Sequence, residues 1–123
     1  MEDAEEPQVL FSGFNQDAGC IAIGVQNGFK IYNSFPVKKT FERVFEGGIG
    51  YVEMLYWTNI LALVGGGSKP TFSKDKVMLW DDSQSKTLGE LKFKTNVIAV
   101  KLSKILVSVV LEDRIYIYQL CDL

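Results

Sequence analysis

The chain has 123 residues, 47% of them hydrophobic and 23% charged, a globular rather than a disordered balance. Its net charge of −2, with two isolated arginines at Arg43 and Arg114, excludes the basic stripe that a nucleic-acid partner requires. The absence of histidine removes Ser-His and Cys-His nucleophile pairs and the commonest metal ligand. Cys20 and Cys121 lie far apart without ligand spacing and read as ordinary reduced thiols. No catalytic, metal or cofactor site is expected. The longest apolar run, residues 60–64, falls far short of the roughly 20 residues of a spanning helix, and the acidic start at Glu2, Asp3, Glu5 and Glu6 is unlike a secretory signal. A cytoplasmic protein is expected.

Residues 1–7 are acidic, end in Pro7 and lack periodicity, which predicts a disordered terminus. From Gln8 short β-prone runs alternate with turn chemistry, at residues 9–14, 20–24, 29–33 and 40–45. Asn27-Gly28 is the strongest hairpin signal, because a primed two-residue turn needs positive φ at both central positions. Gly47-Gly48 hands over to a second set at 50–56, 59–64, 76–80 and 87–93, with a glycine-rich excursion between its second and third runs. The glycines at 65–67 read as a flexible connection permitting positive φ. A third set, 97–102, 105–110 and 114–120, has no fourth member. In its first run Ile98, Val100 and Leu102 fall on one face, and Ala99 and Lys101 on the other.

Each set carries the same aliphatic, aromatic, polar triplet: Ile31-Tyr32-Asn33, Leu79-Trp80-Asp81 and Ile117-Tyr118-Gln119. The steps between the aromatics fall in or near the roughly 40 to 50 residues of a propeller blade. The expected fold is therefore all-β, a WD-type β-propeller segment of about two and three-quarter antiparallel four-stranded blades. Blade 1 is expected over 8–46, blade 2 over 47–94 and an incomplete blade 3 over 95–123. Since a propeller closes with about four to eight blades, the chain reads as the N-terminal part of a larger ring. Taken alone it would leave open sheet faces and an unpaired edge after Leu120, which predicts marginal stability or self-association. Tyr32, Trp80 and Tyr118 are expected in blade packing rather than as a stacking platform for bases or sugars.

The stretch VEMLYWTNILALVGGGSKPTFSKDKVMLWDD, residues 52–82, closely resembles the second blade of the PROPPIN family. These are seven-bladed propellers that bind polyphosphoinositides in autophagy, and the likeness is to their WIPI and Hsv-type branch. GFNQDAGC (13–20), NGFKIYN (27–33) and GGIGYVEML (47–55) are similar to the family's first blade and its exit, and VIAVKL (97–102) and VVLEDRIYIY (109–118) to the third. The resemblance implies a ring of seven blades. It also implies a non-enzymatic scaffold that recruits autophagy machinery to membranes carrying phosphatidylinositol 3-phosphate or 3,5-bisphosphate, peripheral to autophagosome-precursor or endosomal and vacuolar membranes.

The family's lipid pockets are organised by a Phe-Arg-Arg-Gly motif late in the ring, where paired guanidinium forks grip the inositol phosphate. This chain has no adjacent arginine pair. The resemblance therefore implies that phosphoinositide membranes are met through blades beyond this chain. The early blades are implied to offer a docking surface for a rod-shaped autophagy lipid-transfer protein. The matching loops are Asn15-Gln16-Asp17 and the excursion at 65–74, with Asn15, Asp17, Ser68 and Lys69 as partner-binding candidates. An ordinary Asx turn would use Asn15 and Asp17 equally well. The alternative function is a general WD-repeat adaptor that binds protein without lipid.

Gly65-Gly66-Gly67-Ser68-Lys69 has the wrong order for a phosphate loop and leads into a strand rather than a helix. Asp81-Asp82 is not an acid–base pair, because strand neighbours point to opposite faces; it is expected to close the turn after Trp80.

Overall fold

A computed structural model describes residues 8–122; the acidic segment 1–7, expected to be disordered, lies outside them. Strands β1 (Val9–Phe14), β2 (Cys20–Val25), β3 (Gly28–Ser34) and β4 (Val37–Val44) form one antiparallel meander. A second consists of β5 (Gly48–Met54), β6 (Ile60–Gly66), β7 (Lys76–Asp81) and β8 (Lys86–Lys92). The third holds β9 (Val97–Leu102), β10 (Leu106–Leu111) and β11 (Ile115–Gln119), followed by a 3-10 turn at Leu120–Asp122. The sheets pack face to face as propeller blades, with β5 lying against β1 on one side and β9 on the other.

Alternation along the strands sorts side chains into two cores. In β6, Leu61 and Leu63 face blade 1, while Ala62 and Val64 face blade 3. Both faces of this strand are covered, which is why the sequence reads there as a continuous apolar run rather than an alternating one. Between blades 1 and 2, Phe29 and Ile31 meet Ile49, Leu61 and Leu63, and Phe45 bridges Phe29 to Trp80 with ring centroids 5.9 and 5.4 Å away. Between blades 2 and 3, Val64 and Val77 meet Val100, Val107 and Val109. The three triplet aromatics occupy one register: Tyr32 opposite Ile21, Trp80 opposite Leu61 and Tyr118 opposite Val107. Trp80 is buried, and Tyr118, packed on the second core, and Tyr32 are half-buried.

Three local expectations are corrected. The β2–β3 turn is Gln26-Asn27, closed by the Val25–Gly28 pair, and neither central residue has positive φ. Gly28 instead begins β3 at φ 137°, where an added Cβ would lie 1.9 Å from the Arg43 carbonyl oxygen, so β4 requires glycine for its approach. The glycine run is not a flexible connection: Gly65 and Gly66 continue β6, and a Cβ on Gly65 would lie 1.8 Å from the Phe72 oxygen. Only Gly67 of the three takes positive φ. In β9 a bulge opposite Val110 and Leu111 pairs Val97 with Leu111. That turns Ile98 outward to 55% exposure while Val97 joins the core beside Val100 and Leu102.

Polar ties cross the blade boundaries. Gln16, in the β1–β2 turn, donates from Nε2 to the carbonyls of Met54 (2.6 Å) and Leu102 (2.9 Å), and its Oε1 accepts from the Tyr56 amide (2.7 Å). Buried Glu53 accepts the Leu102 amide at 3.0 Å, joining β5 to β9. Burial pushes the Glu53 carboxyl above its ordinary value, with the Leu102 amide and then Lys101 pulling the other way. Farther out, Arg43 of β4 grips Asp82 through Nε (2.6 Å) and Nη2 (3.0 Å), and the Trp80 indole donates to the same carboxylate at 3.1 Å. Asp81 turns the other way and closes the β7–β8 turn, accepting from Ser83 and Gln84.

Phe29 is fully buried between two sheets, so Phe29→Ala is expected to lower the unfolding free energy by about 3–5 kcal/mol, read as a lower urea midpoint at unchanged m. A native-like midpoint would show that the two blades do not share a core. Glu53 gives a pH test. Its folded pKa is raised, so its contribution to stability is fully present below the ordinary value of 4.5 and is lost as pH rises through the folded pKa. Glu53→Gln keeps an acceptor for Leu102 and cannot ionise. Its stability relative to the parent chain is expected to grow from pH 4 to pH 7, measured by urea unfolding at each pH; a pH-independent difference would refute the assignment.

Candidate functional site

The four sequence candidates divide between opposite rims. The β1–β2 and β5–β6 turns share one rim, where the Trp57 indole donates to Asp17 Oδ2 at 2.6 Å. The β6–β7 loop lies on the other, where Gly67 packs on Gln26 of the β2–β3 turn. The seven residues of β6 separate the rims by roughly 20 Å at about 3.3 Å per residue.

On the first rim, Asn15 is corrected as an exposed contact: it is buried, and its side chain is taken up internally. Its Oδ1 accepts the Cys20 amide at 2.9 Å and its Nδ2 donates to the Tyr56 carbonyl at 3.2 Å. Asn15 shapes the rim through these two bonds. Asp17 is exposed, and the Trp57 indole and the Gly19 amide hold its carboxyl below the ordinary carboxylate value. Trp57, 59% exposed, lies beside it, and Lys104 sits 5.5 Å from the Tyr56 ring. Tyr56 adopts φ 50°, an uncommon value for a bulky residue, with its amide held by Gln16 and its carbonyl by Asn15. Rigid neighbours thus fix an exposed aromatic and a carboxylate side by side.

On the second rim, Ser68, Lys69 and Pro70 are exposed, yet their backbone is pinned. The Lys69 carbonyl accepts the Gly48 amide at 2.8 Å, and the Thr71 amide donates back to the Gly48 carbonyl at 3.0 Å. Between this loop and the β4–β5 connection runs an open groove of about 570 Å³, walled by Val44, Phe45, Glu46 and Gly47 on one side and Lys69, Pro70 and Thr71 on the other. Phe45 is braced from behind by Trp80 and Phe72. Thr71 Oγ1 is the buried side-chain oxygen without a hydrogen-bond partner among the described residues.

Sequence reasoning missed Glu53 and Trp57, and named Gln16 only as part of its loop, without its role in tying the blades. Aligning the five-residue turns 15–19 and 55–59 would have placed Asp17 beside Trp57, since both turns close with the same backbone bonds, Asn15 to Cys20 and Leu55 to Ile60. Glu53 had a signal too, as a lone carboxylate between apolar Val52 and Met54. Cys20 is a buried thiol whose pKa is raised by burial and then by Asp17. Among the described residues no group of three or more His, Cys, Asp or Glu is placed to hold a metal ion.

No family model matches the chain. SVP1-like protein 2 of Pichia angusta is 42% identical over 117 residues, covering 94% of this chain and 32% of that protein. Autophagy-related protein 18 of Yarrowia lipolytica is 39% identical over 115 residues, covering 94% and 28%. Among solved structures, Hsv2 of Kluyveromyces marxianus superposes with a TM-score of 0.84 at 28% identity, over 94% of this chain and 36% of that one. KlAtg21, in its complex with the coiled coil of AgAtg16, gives 0.80 at 29% identity, over 94% and 37%. The chain thus spans about a third of the length of the proteins it matches. Similar to them in sequence and in fold over nearly all its own length, the chain belongs to the PROPPIN family of β-propellers.

Proposed function

We propose that this chain is the early-blade portion of a non-enzymatic scaffold, a docking segment for an autophagy protein within a propeller that binds phosphoinositide membranes through its other blades. The observation that carries the docking role is the Ser68-Lys69-Pro70 loop. It is exposed, yet fastened to Gly48 by two backbone hydrogen bonds beside an open groove, so a partner would meet it already ordered. A pre-formed loop with Lys69 at its tip and Glu46 on the opposite wall suits a protein ligand that carries charges of both signs and sets its carboxylate at Lys69. The KlAtg21 complex shows a relative holding a coiled coil, which favours protein docking in this family. The rod-shaped lipid-transfer protein implied by the resemblance is the expected partner.

The lipid assignment to other blades rests on the arginines. Arg43 is held bidentately by Asp82, and exposed Arg114 lies 3.5 Å from Asp113, so neither guanidinium is arranged with a second to clasp a phosphate. The expected setting is the cytoplasm, at the surface of autophagosome-precursor or endosomal and vacuolar membranes.

In vesicle flotation, this chain is expected to stay with the soluble fraction whether or not the membranes carry phosphatidylinositol 3-phosphate. Flotation specific to that lipid would overturn the assignment of the lipid site. In a binding assay with the purified lipid-transfer protein, Lys69→Glu is expected to weaken binding about tenfold. Equal binding by the variant would remove the loop from the interface, and binding by neither form would favour the general adaptor.

A further inference from the structure

The turn at residues 17–19 is the mount for two exposed aromatic rings. Trp57 lies over Gly19, where an added Cβ would sit 2.3 Å from the ring, and its indole donates to Asp17 Oδ2 at 2.6 Å. Ser34 is fastened to the same turn, its amide donating to the Gly19 carbonyl at 3.0 Å and its Oγ to the Ala18 carbonyl at 2.7 Å. Those two bonds set the tip of the β3–β4 hairpin, where Ser34 pairs with Val37 and Phe35-Pro36 project beyond them. Phe35 is 94% exposed, more than any other large hydrophobic side chain among the described residues. Neither ring owes its exposure to an uncovered sheet face. Phe35 stands past the last ladder pair, at the end of its sheet, and Trp57 stands in the β5–β6 turn of the blade that has a neighbour on both sides.

We propose that Phe35 and Trp57 form an apolar tip that dips into a phospholipid surface, without selecting for an inositol phosphate. The tip is convex, so a protein would need a pocket shaped to it, whereas a fluid acyl boundary takes a protruding ring as it comes. The Trp57 N–H is already bonded to Asp17, so the indole leaves water without stranding a donor. The Asp17 charge is in turn shared between that indole and the Gly19 amide at 2.9 Å.

The charges behind the tip fit the same occupant. Lys38 and Lys39 are exposed on β4, and Lys38 lies about 10 Å of strand from Phe35, which sets it at headgroup level when the ring reaches the acyl boundary. Phenylalanine and tryptophan backed by lysine are the combination that settles at such an interface. The hairpin is anchored before it arrives, so little ordering remains to be done on contact. Two rings carry far less apolar surface than a myristoyl chain, itself a marginal and reversible anchor. The contact is therefore transient, and it does not carry the chain through flotation.

The test is tryptophan fluorescence of the full chain at equilibrium with excess phosphatidylcholine–phosphatidylserine vesicles that carry no phosphoinositide. Brominated acyl chains should quench Trp57, while Trp80, buried and bonded to Asp82, gives an unquenched background. Trp57→Phe should abolish the quenching. Phe35→Ser should weaken partition at least about tenfold, with the circular dichroism of the sheets unchanged. Lys69→Glu, on the opposite rim, should partition like the wild type, which separates this contact from the docking loop. A wild type that is not quenched in lipid excess overturns the proposal, as does a serine variant that partitions equally or quenching that survives Trp57→Phe. Quenching that requires added phosphatidylinositol 3-phosphate overturns it too, by making the site a headgroup pocket. No quenching, with weaker binding of the purified lipid-transfer protein by Phe35→Ser, would make the tip a protein contact instead.

Discussion

Three sheets are held in register by one polar knot at the end of the innermost strands. Gln16 reaches from the first blade's turn to carbonyls of the second and third, and Glu53 carries the link from β5 to the backbone of β9. Apolar faces alone would not fix how far one blade slides or splays against the next, because dispersion and hydrophobic burial are non-directional. Hydrogen bonds with named partners do. The carbonyls of Met54 and Leu102 and the amides of Tyr56 and Leu102 each need a partner, since buried backbone groups left unpaired are costly. Gln16 and Glu53 supply those partners from a neighbouring blade, so local satisfaction and global arrangement become one requirement. The raised pKa of Glu53 shows that this service is performed against a desolvation penalty.

The knot sits beside two cores of unequal character. Aromatic rings dominate the first, with Phe29, Phe45, Phe72 and Trp80 meeting edge to face or tilted. The second is largely aliphatic, with Val64, Val77, Val100, Val107 and Val109 beside Leu79, Leu102 and Leu111. Blade 2 lies between the other two, and its first three strands accordingly carry the least exposed side chains. Among the described residues, blades 1 and 3 each meet one neighbouring blade. In a stack of this kind each unit depends on its neighbour's interface for much of its stability, so the middle blade is the structural reference for the other two. The Arg43–Asp82 clasp acts at the far end of the same interface from Gln16, and it couples the outer strand of blade 1 to the turn after Trp80.

The strands themselves were legible because alternation and turn residues agree along almost the whole chain, and the blade repeat was legible because the triplet aromatics keep one register opposite Ile21, Leu61 and Val107. What eluded the sequence was local geometry decided by approach from elsewhere. Asn27-Gly28 carries a hairpin signature, but Gly28 is glycine because β4 comes within contact of it, so the turn shifts by one residue. The bulge in β9 likewise depends on Val110 and Leu111 across the sheet, which no pattern within 97–102 records. Asn15 looked like a surface loop residue because its type and setting favour turns. Its burial follows from Tyr56 and Cys20 competing for its two ends, a fact of packing between blades.

That distinction separates the polar loop residues by role. Asn15 and Gln16 point their amides into the boundary between blades, where every donor and acceptor finds backbone, and so they define the rim's shape. Asp17, one residue on, leaves the boundary and braces an exposed indole, keeping both apolar ring surface and carboxylate available to solvent. On the opposite rim the same division runs through the backbone: the peptide groups of Lys69 and Thr71 are committed to Gly48 while the Lys69 side chain is left outward. Ordering of the loop is thereby completed on folding, before any partner arrives. A surface made this way loses little conformational entropy on binding, which is the physical basis for assigning recognition to rims whose supporting groups are already satisfied.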